Sequence, residues 1–251
     1  MQKIALITGA TSGIGKATAE IFAQHNIHII LCGRRQERLD EMARQLGKSV
    51  KTLTLTFDVR DRDEVFKQIE RLPEAWKNID ILVNNAGNAH GLAPTDKADL
   101  ADWEAMIDIN VKGLMYVSKA VIPQMVERKT GHIINLGSIA GKEVYANGNA
   151  YCASKYAVDA LNTGMRLDLV QYGIKVTAIN PGLVETEFSL VRFKGDEEKA
   201  KNVYKGITPL TAADVAEVIY FAVSRPAHVN IADVIVFPTA QASATTVIRQ
   251  G

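Results

Sequence analysis

The sequence predicts an α/β architecture, one parallel doubly wound sheet with helices on both faces, and three observations predict it. Short apolar runs alternate with stretches of helical periodicity along the whole chain. Runs such as 27–32 lack the two-residue alternation of a half-exposed strand, so they read as parallel strands covered on both sides. The first run is closed by a glycine-rich turn that opens a helix, Thr8-Gly9-Ala10-Thr11-Ser12-Gly13-Ile14-Gly15.

The elements follow in order. Residues 3–7 read as a strand and 16–24 as a helix; 27–32 is the second strand, and 36–46 a charged surface helix stopped by Gly47. A strand pattern at 50–57 and a helical one at 62–72 precede a strand at 79–83, which runs into Asn84-Asn85-Ala86-Gly87. Residues 100–128 read as one long helical stretch, bent or split near its end by Pro123. A strand at 132–136, a helix at 149–172 and a strand at 174–179 closed by Asn180-Pro181-Gly182 come next. A helix at 212–224 and a last strand at 233–237 complete the pattern. Nothing reads as a linker, so residues 1–251 are expected to form one domain, with a candidate substrate lid around 183–210. In such a sheet ligands bind beyond the carboxyl ends of the strands. The 8–15 turn, the 84–87 turn, Ser138 and Pro181-Gly182 all follow strands, which gathers them on one edge.

Composition narrows the function classes. Lysine and arginine number 29 against 28 aspartates and glutamates, with no like-charge block, which argues against nucleic acid or an anionic membrane as the partner and for a small molecule. The chain enters an apolar run at Ile4 without a basic leader, and no apolar stretch approaches membrane-spanning length, so a soluble, cytoplasmic protein is expected. Cys32 and Cys152 read as reduced packing residues, and the five histidines show no metal-ligand spacing. No metal is expected. The small and polar residues 239–251 read as a frayed tail or an oligomer contact.

Two constellations carry chemistry. Gly9, Gly13 and Gly15 let the backbone approach a pyrophosphate while the following helix offers its positive end, the pattern of a Rossmann-type dinucleotide site. Twenty residues past Gly13, where an acid would hold the ribose of NAD, stand Gly33-Arg34-Arg35. A guanidinium there suits the 2′-phosphate of NADP, unless the arginines are simply solvated at a helix start. Tyr151 and Lys155, four apart on a helix, can bring an ammonium beside a phenol and draw the phenolate toward neutral pH. Ser138 adds a hydroxyl able to hydrogen-bond an oxygen passing between carbonyl and alcohol.

Taken together and in this order, these motifs resemble the short-chain dehydrogenase/reductase superfamily over almost the whole chain. Gly33-Arg34-Arg35-Gln36-Glu37-Arg38-Leu39, the 78–87 run, Pro181-Gly182-Leu183-Val184, the 191–196 run and Pro226-Ala227-His228-Val229-Asn230-Ile231 are similar to its NADP-dependent 3-hydroxy acid dehydrogenases, which oxidise L-serine, L-allo-threonine and related acids. The resemblance implies Tyr151 as general acid/base, Ser138 as the group that orients the substrate oxygen, Lys155 as the partner of the nicotinamide ribose, and Asn110 as a fourth member supporting a water behind the lysine. It implies cofactor contacts from Gly9, Thr11, Ser12, Gly13, Ile14, Gly15, Arg34 and Arg35. Further contacts are implied from Asp58, Val59, Asn84, Ala86, Gly87, Pro181, Gly182, Val184 and Thr186. It also implies a homo-oligomer, commonly a tetramer, built on the long helices.

Arg192, with Lys194, is a candidate for the substrate carboxylate, because guanidinium suits bidentate recognition and both follow Pro181-Gly182 in the candidate lid. Solvated loop cations are the equal alternative. Two other functions stay open at this level: a reductase of a different carbonyl, such as an acyl thioester, a sugar or a xenobiotic ketone, and a nucleotide-binding regulator without turnover.

Overall fold

The computed structural model describes residues 2–250. Its centre is β1 (Ile4–Thr8), buried along its whole length and paired in parallel with β2 (His28–Gly33), the two joined by α1 (Gly13–Gln24). From β2 the chain runs through α2 (Gln36–Leu46) to β3 (Thr52–Thr56), an edge strand. It then crosses, by way of α3 (Arg62–Glu70), to the other side of β1, where β4 (Ile81–Asn84) pairs. This reversal between β1 and β4 creates the crevice in which doubly wound folds bind ligands.

The second half adds α4 (Leu100–Ile107), α5 (Leu114–Arg128), β5 (Gly131–Leu136), α6 (Asn149–Leu169) and β6 (Ile174–Pro181). Two short helices follow, α7 (Glu187–Arg192) and α8 (Glu197–Asn202), then α9 (Ala212–Ser224) and β7 (Asp233–Val236). The seven-stranded sheet has the order β3-β2-β1-β4-β5-β6-β7, parallel throughout. Alternation within β1 explains its two cores. Ala5 and Ile7 pack with Phe22, Leu39 and Ile219 on one face, and Ile4 and Leu6 with Val65, Val121 and Met125 on the other.

Two departures from the sequence pattern bear on the site. Residues 100–128 are not one helix bent at Pro123, although Pro123 does lie inside α5. Between α4 and α5 the backbone widens into a π-helical stretch, Asp108–Gly113, which carries Asn110. Single π turns inside helices mark places where a side chain has been re-aimed. After β6 the chain leaves the sheet and returns at a parallel bridge between Val184 and Leu210. Glu185 N donates to Leu210 O at 2.8 Å and Leu210 N to Leu183 O at 2.9 Å, so the excursion over 183–210 is tied at its base. The two short helices within it carried no usable period in the sequence.

Candidate active site

The glycine turn and the end of β4 interlock. Gly9 (φ 65°) and Gly13 (φ 50°) take left-handed backbone that side chains rarely adopt. A Cβ at Gly9 would stand 2.9 Å from Asn85 Nδ2 and 3.1 Å from Ala86 Cα. Thr8 Oγ1 accepts the N–H groups of Asn85 and Ala86, both at 3.0 Å, and Asn85 Nδ2 donates to Thr8 O and Gly9 O. Two of the residues expected to contact the cofactor lie outside the cavity lining. Gly15 does not face the cavity: a Cβ there would overlap Gly9 O and Asn85 Nδ2, so its role is close packing. Asn84 turns inward, its Nδ2 donating to Ser118 Oγ and Asn135 Oδ1 at 2.9 Å each, and Asn85 fronts the cavity in its place.

A cavity of about 460 Å³ opens along this edge. Thr11, Ser12, Gly13, Ile14, Asp58 and Val59 line one end with Arg34 and Arg35. Arg35 is held by Thr11 Oγ1 at 2.8 Å and Ser12 Oγ at 3.0 Å, and reaches Glu187 on α7 at 3.2 Å. Arg38, unremarked in the sequence except within the resemblance, donates to the same carboxylate at 2.9 Å. Arg34 is looser, 3.8 Å from Asp58 and largely exposed. Burial alone would raise the Asp58 carboxyl, but the Arg60 hydrogen bonds outweigh it and hold the group below its usual range.

At the other end stand Ser138, Tyr151 and Lys155, with Ala86, Gly87, Pro181, Gly182, Val184 and Thr186 between. Thr186 faces Gly13, whose Cβ would lie 3.4 Å from its side chain, and its Oγ1 also caps α7 through Phe188 N. Ser138 starts a 3-10 turn, Ile139–Gly141, as its N-cap, its Oγ accepting from Ala140 N at 3.1 Å. Lys155 Nζ stands over the Tyr151 ring, 6.0 Å from its centroid, while it donates to Leu136 O at 2.9 Å, and burial lowers its pKa to about 8. A second and nearer cation, unforeseen at this ring, is Arg192, with its guanidinium carbon 4.8 Å from the centroid. Burial pushes the Tyr151 phenol up to about 12, and Arg192 and Ser138 pull against that rise.

Asn110 does not line the cavity. From the π-helical stretch it clasps the Asn88 backbone, accepting from Asn88 N at 2.9 Å and donating to Asn88 O at 2.8 Å, and it donates to Ser154 Oγ at 3.0 Å. A Cβ on Gly87 would fall 2.8 Å from Asn110 Oδ1 and 3.7 Å from Lys155 Nζ, which brings the amide and the amine together beside that glycine.

Arg192 does reach the cavity; Lys194 does not. The Lys194 amine pairs with Asp102 on α4 at 3.0 Å, away from the lining residues. Arg192 packs against both the Tyr151 and Phe188 rings, donates through Nη2 to the Tyr145 hydroxyl at 2.9 Å, and leaves its buried Nε without a protein partner. Sequence reasoning singled out neither Tyr145, although the 142–149 stretch was expected to shape the pocket, nor Gln241. Gln241 lies in the tail, reaches the cavity, and accepts from Leu183 N at 2.9 Å. No motif marked either residue. Among the described residues no group of metal-ligating side chains occurs, and no helix is long and apolar enough to cross a membrane.

Comparison with known proteins agrees with this geometry. The short chain dehydrogenase family model matches residues 3–196. An NADP-dependent 3-hydroxy acid dehydrogenase of Salmonella typhi is 48% identical over 242 residues, 96% of this chain and 97% of that protein. Sulfoacetaldehyde reductase 2 of Chromohalobacter salexigens is 47% identical over 243 residues, 96% of each chain. A solved closed form of serine dehydrogenase complexed with NADP+ superposes with a TM-score of 0.92 at 46% identity, covering 99% of this chain and 100% of that one.

Proposed function

The chain belongs to the short chain dehydrogenase family, and on that premise we propose that it is an NADP-dependent dehydrogenase of small 3-hydroxy acids such as L-serine, L-allo-threonine and 3-hydroxypropionate. The residues present suit NADP. Left-handed glycines bring backbone N–H groups to the cavity wall, α1 begins there, and Arg35 turns its guanidinium to the same end. Bound NADP would supply the hydride acceptor on its nicotinamide.

What the protein contributes is alignment and proton handling. In oxidation, the substrate O–H proton passes to the Tyr151 phenolate oxygen as the hydride leaves the neighbouring carbon. Ser138 holds the oxygen throughout, and Arg192 stabilises the phenolate across its ring. Reduction runs the same transfers backwards. The observation that carries the acid specificity is the partnerless Nε of Arg192, buried one ring away from the reacting hydroxyl. A buried guanidinium N–H without an acceptor is costly, and a carboxylate would satisfy it. The 183–210 excursion then acts as the lid that brings Arg192 to its place.

A second reading is supported by the same guanidinium: a sulfonate would also satisfy it, and the protein would then reduce a small sulfonated aldehyde, as the name of the Chromohalobacter relative describes. The deciding experiment is a panel of 3-hydroxy acids, sulfonated and carboxylated aldehydes and uncharged ketones, assayed with NADP and NAD by nicotinamide absorbance. Turnover confined to uncharged ketones would rule out both readings.

A further inference from the structure

We infer that Asp233, acting through Asn180, is a positioning residue for Ser138; this rests on Ser138 orienting the substrate oxygen. Ser138 N donates to Asn180 Oδ1 at 3.2 Å, and Asn180 Nδ2 donates to Asp233 Oδ1 at 2.5 Å. The Asn180 amide is buried, and a Cβ on Gly137 would overlap its oxygen, so the serine loop lies directly against it. An amide can turn either end toward a neighbour, but an ionised carboxylate only accepts. Asp233 therefore takes the Asn180 NH2 and leaves the carbonyl oxygen for the Ser138 N–H.

The other oxygen of Asp233 engages Lys142, which also pairs with Asp159 at 2.6 Å. Lys142 follows the 3-10 turn that Ser138 begins. One carboxylate on β7 thus holds both ends of the 138–142 loop, the first through Asn180 and the second through Lys142. The Asp233 side chain is 40% exposed, so its removal empties no core space.

The test is a double-mutant cycle between Asp233→Ala and Ser138→Ala on the full-length protein, with hydrogen exchange of the 138–142 amides measured alongside. Asp233→Ala is expected to lower kcat by about tenfold while leaving NADP binding and the melting temperature nearly unchanged, because a small misplacement suffices for such a loss. Asp233→Asn, which can still accept from Asn180, should recover most of the rate. In the Ser138→Ala background, Asp233→Ala should cost almost nothing, since neighbours that act through one group are not additive. Exchange should quicken across 138–142 in Asp233→Ala, and only toward the Lys142 end in Asp233→Asn, which keeps the acceptor for Asn180 but turns an NH2 toward Lys142. An equal loss in both backgrounds, or unchanged kcat and exchange in Asp233→Ala, overturns the inference. A Ser138→Ala enzyme with normal turnover would instead remove the role given to Ser138.

Discussion

Arg192 lies 4.8 Å above the centroid of the Tyr151 ring. On the proposed function, one cation would therefore face both the anion end of the substrate and the phenol that exchanges its proton. Arg192→Ala is expected to raise KM for a 3-hydroxy acid by about 10–100-fold, the worth of a charge-assisted contact, and to lower kcat as well, because the phenol rises further without its cation. Arg192→Lys should recover part of kcat and little of KM, since an ammonium lacks the bidentate fork. Steady-state kinetics on acid and uncharged substrates checks this: the KM effect should vanish on the uncharged ones.

Oxidation and reduction should respond oppositely to pH. With the phenol pushed up to about 12, oxidation draws on a small phenolate fraction that grows as pH rises, while reduction uses the abundant phenol. The oxidative rate should therefore climb from neutral pH toward alkaline and the reductive rate should not. Tyr151→Phe should reduce both by about 10²–10⁴-fold, the range for loss of a general acid/base. Initial rates in both directions across pH, followed by nicotinamide absorbance, provide the measurement.

Glu187 competes for the arginines that suit a 2′-phosphate, since its carboxylate pairs with Arg35 and Arg38. Glu187→Gln should tighten 2′-AMP binding by up to about fivefold, a limit set by the modest worth of exposed ion pairs. Arg35→Ala should instead weaken 2′-AMP and narrow the preference for NADP over NAD. Calorimetry with 2′-AMP and 5′-AMP distinguishes the two effects.

His132 should make the protein acid-sensitive. Its Nε2 meets Thr177 Oγ1 at 2.8 Å, and burial, aided by Lys175 and Lys3, lowers its pKa from 6.5 to about 3. Between those values the unfolded chain binds the proton and the folded chain does not, so stability falls as pH falls from 6.5 toward 3. Thermal melts of His132→Gln should lose this component of the slope, even if the variant is less stable at neutral pH.

What the sequence disclosed was local or periodic. Strands such as Ile4–Thr8 and the interlocking glycines announce themselves within a few residues. The π-helical stretch kept an unbroken helical pattern on either side, so Asn110 gave no sign that its backbone had widened. Asn84 and Asn85 are chemically alike neighbours, and only the pleat decides which one meets the cavity. Lys194 shares a polar segment with Arg192, yet Asp102 on a distant helix claims it. The contacts of Asn180 with Ser138 and Asp233 span 42 and 53 residues, beyond the reach of any short pattern.

The knot at Val184 and Leu210 brings together the two ends of a segment that contributes Glu187 to the cofactor end and Arg192 to the reacting end. A loop whose ends already meet can be swapped whole without altering the order of the sheet, because closure depends on its two anchor points and only weakly on the length between them. On the proposed function, selectivity would be a replaceable cassette: grafting the 185–209 stretch of a relative onto these anchors is expected to transfer taste for a substrate while leaving the chassis alone.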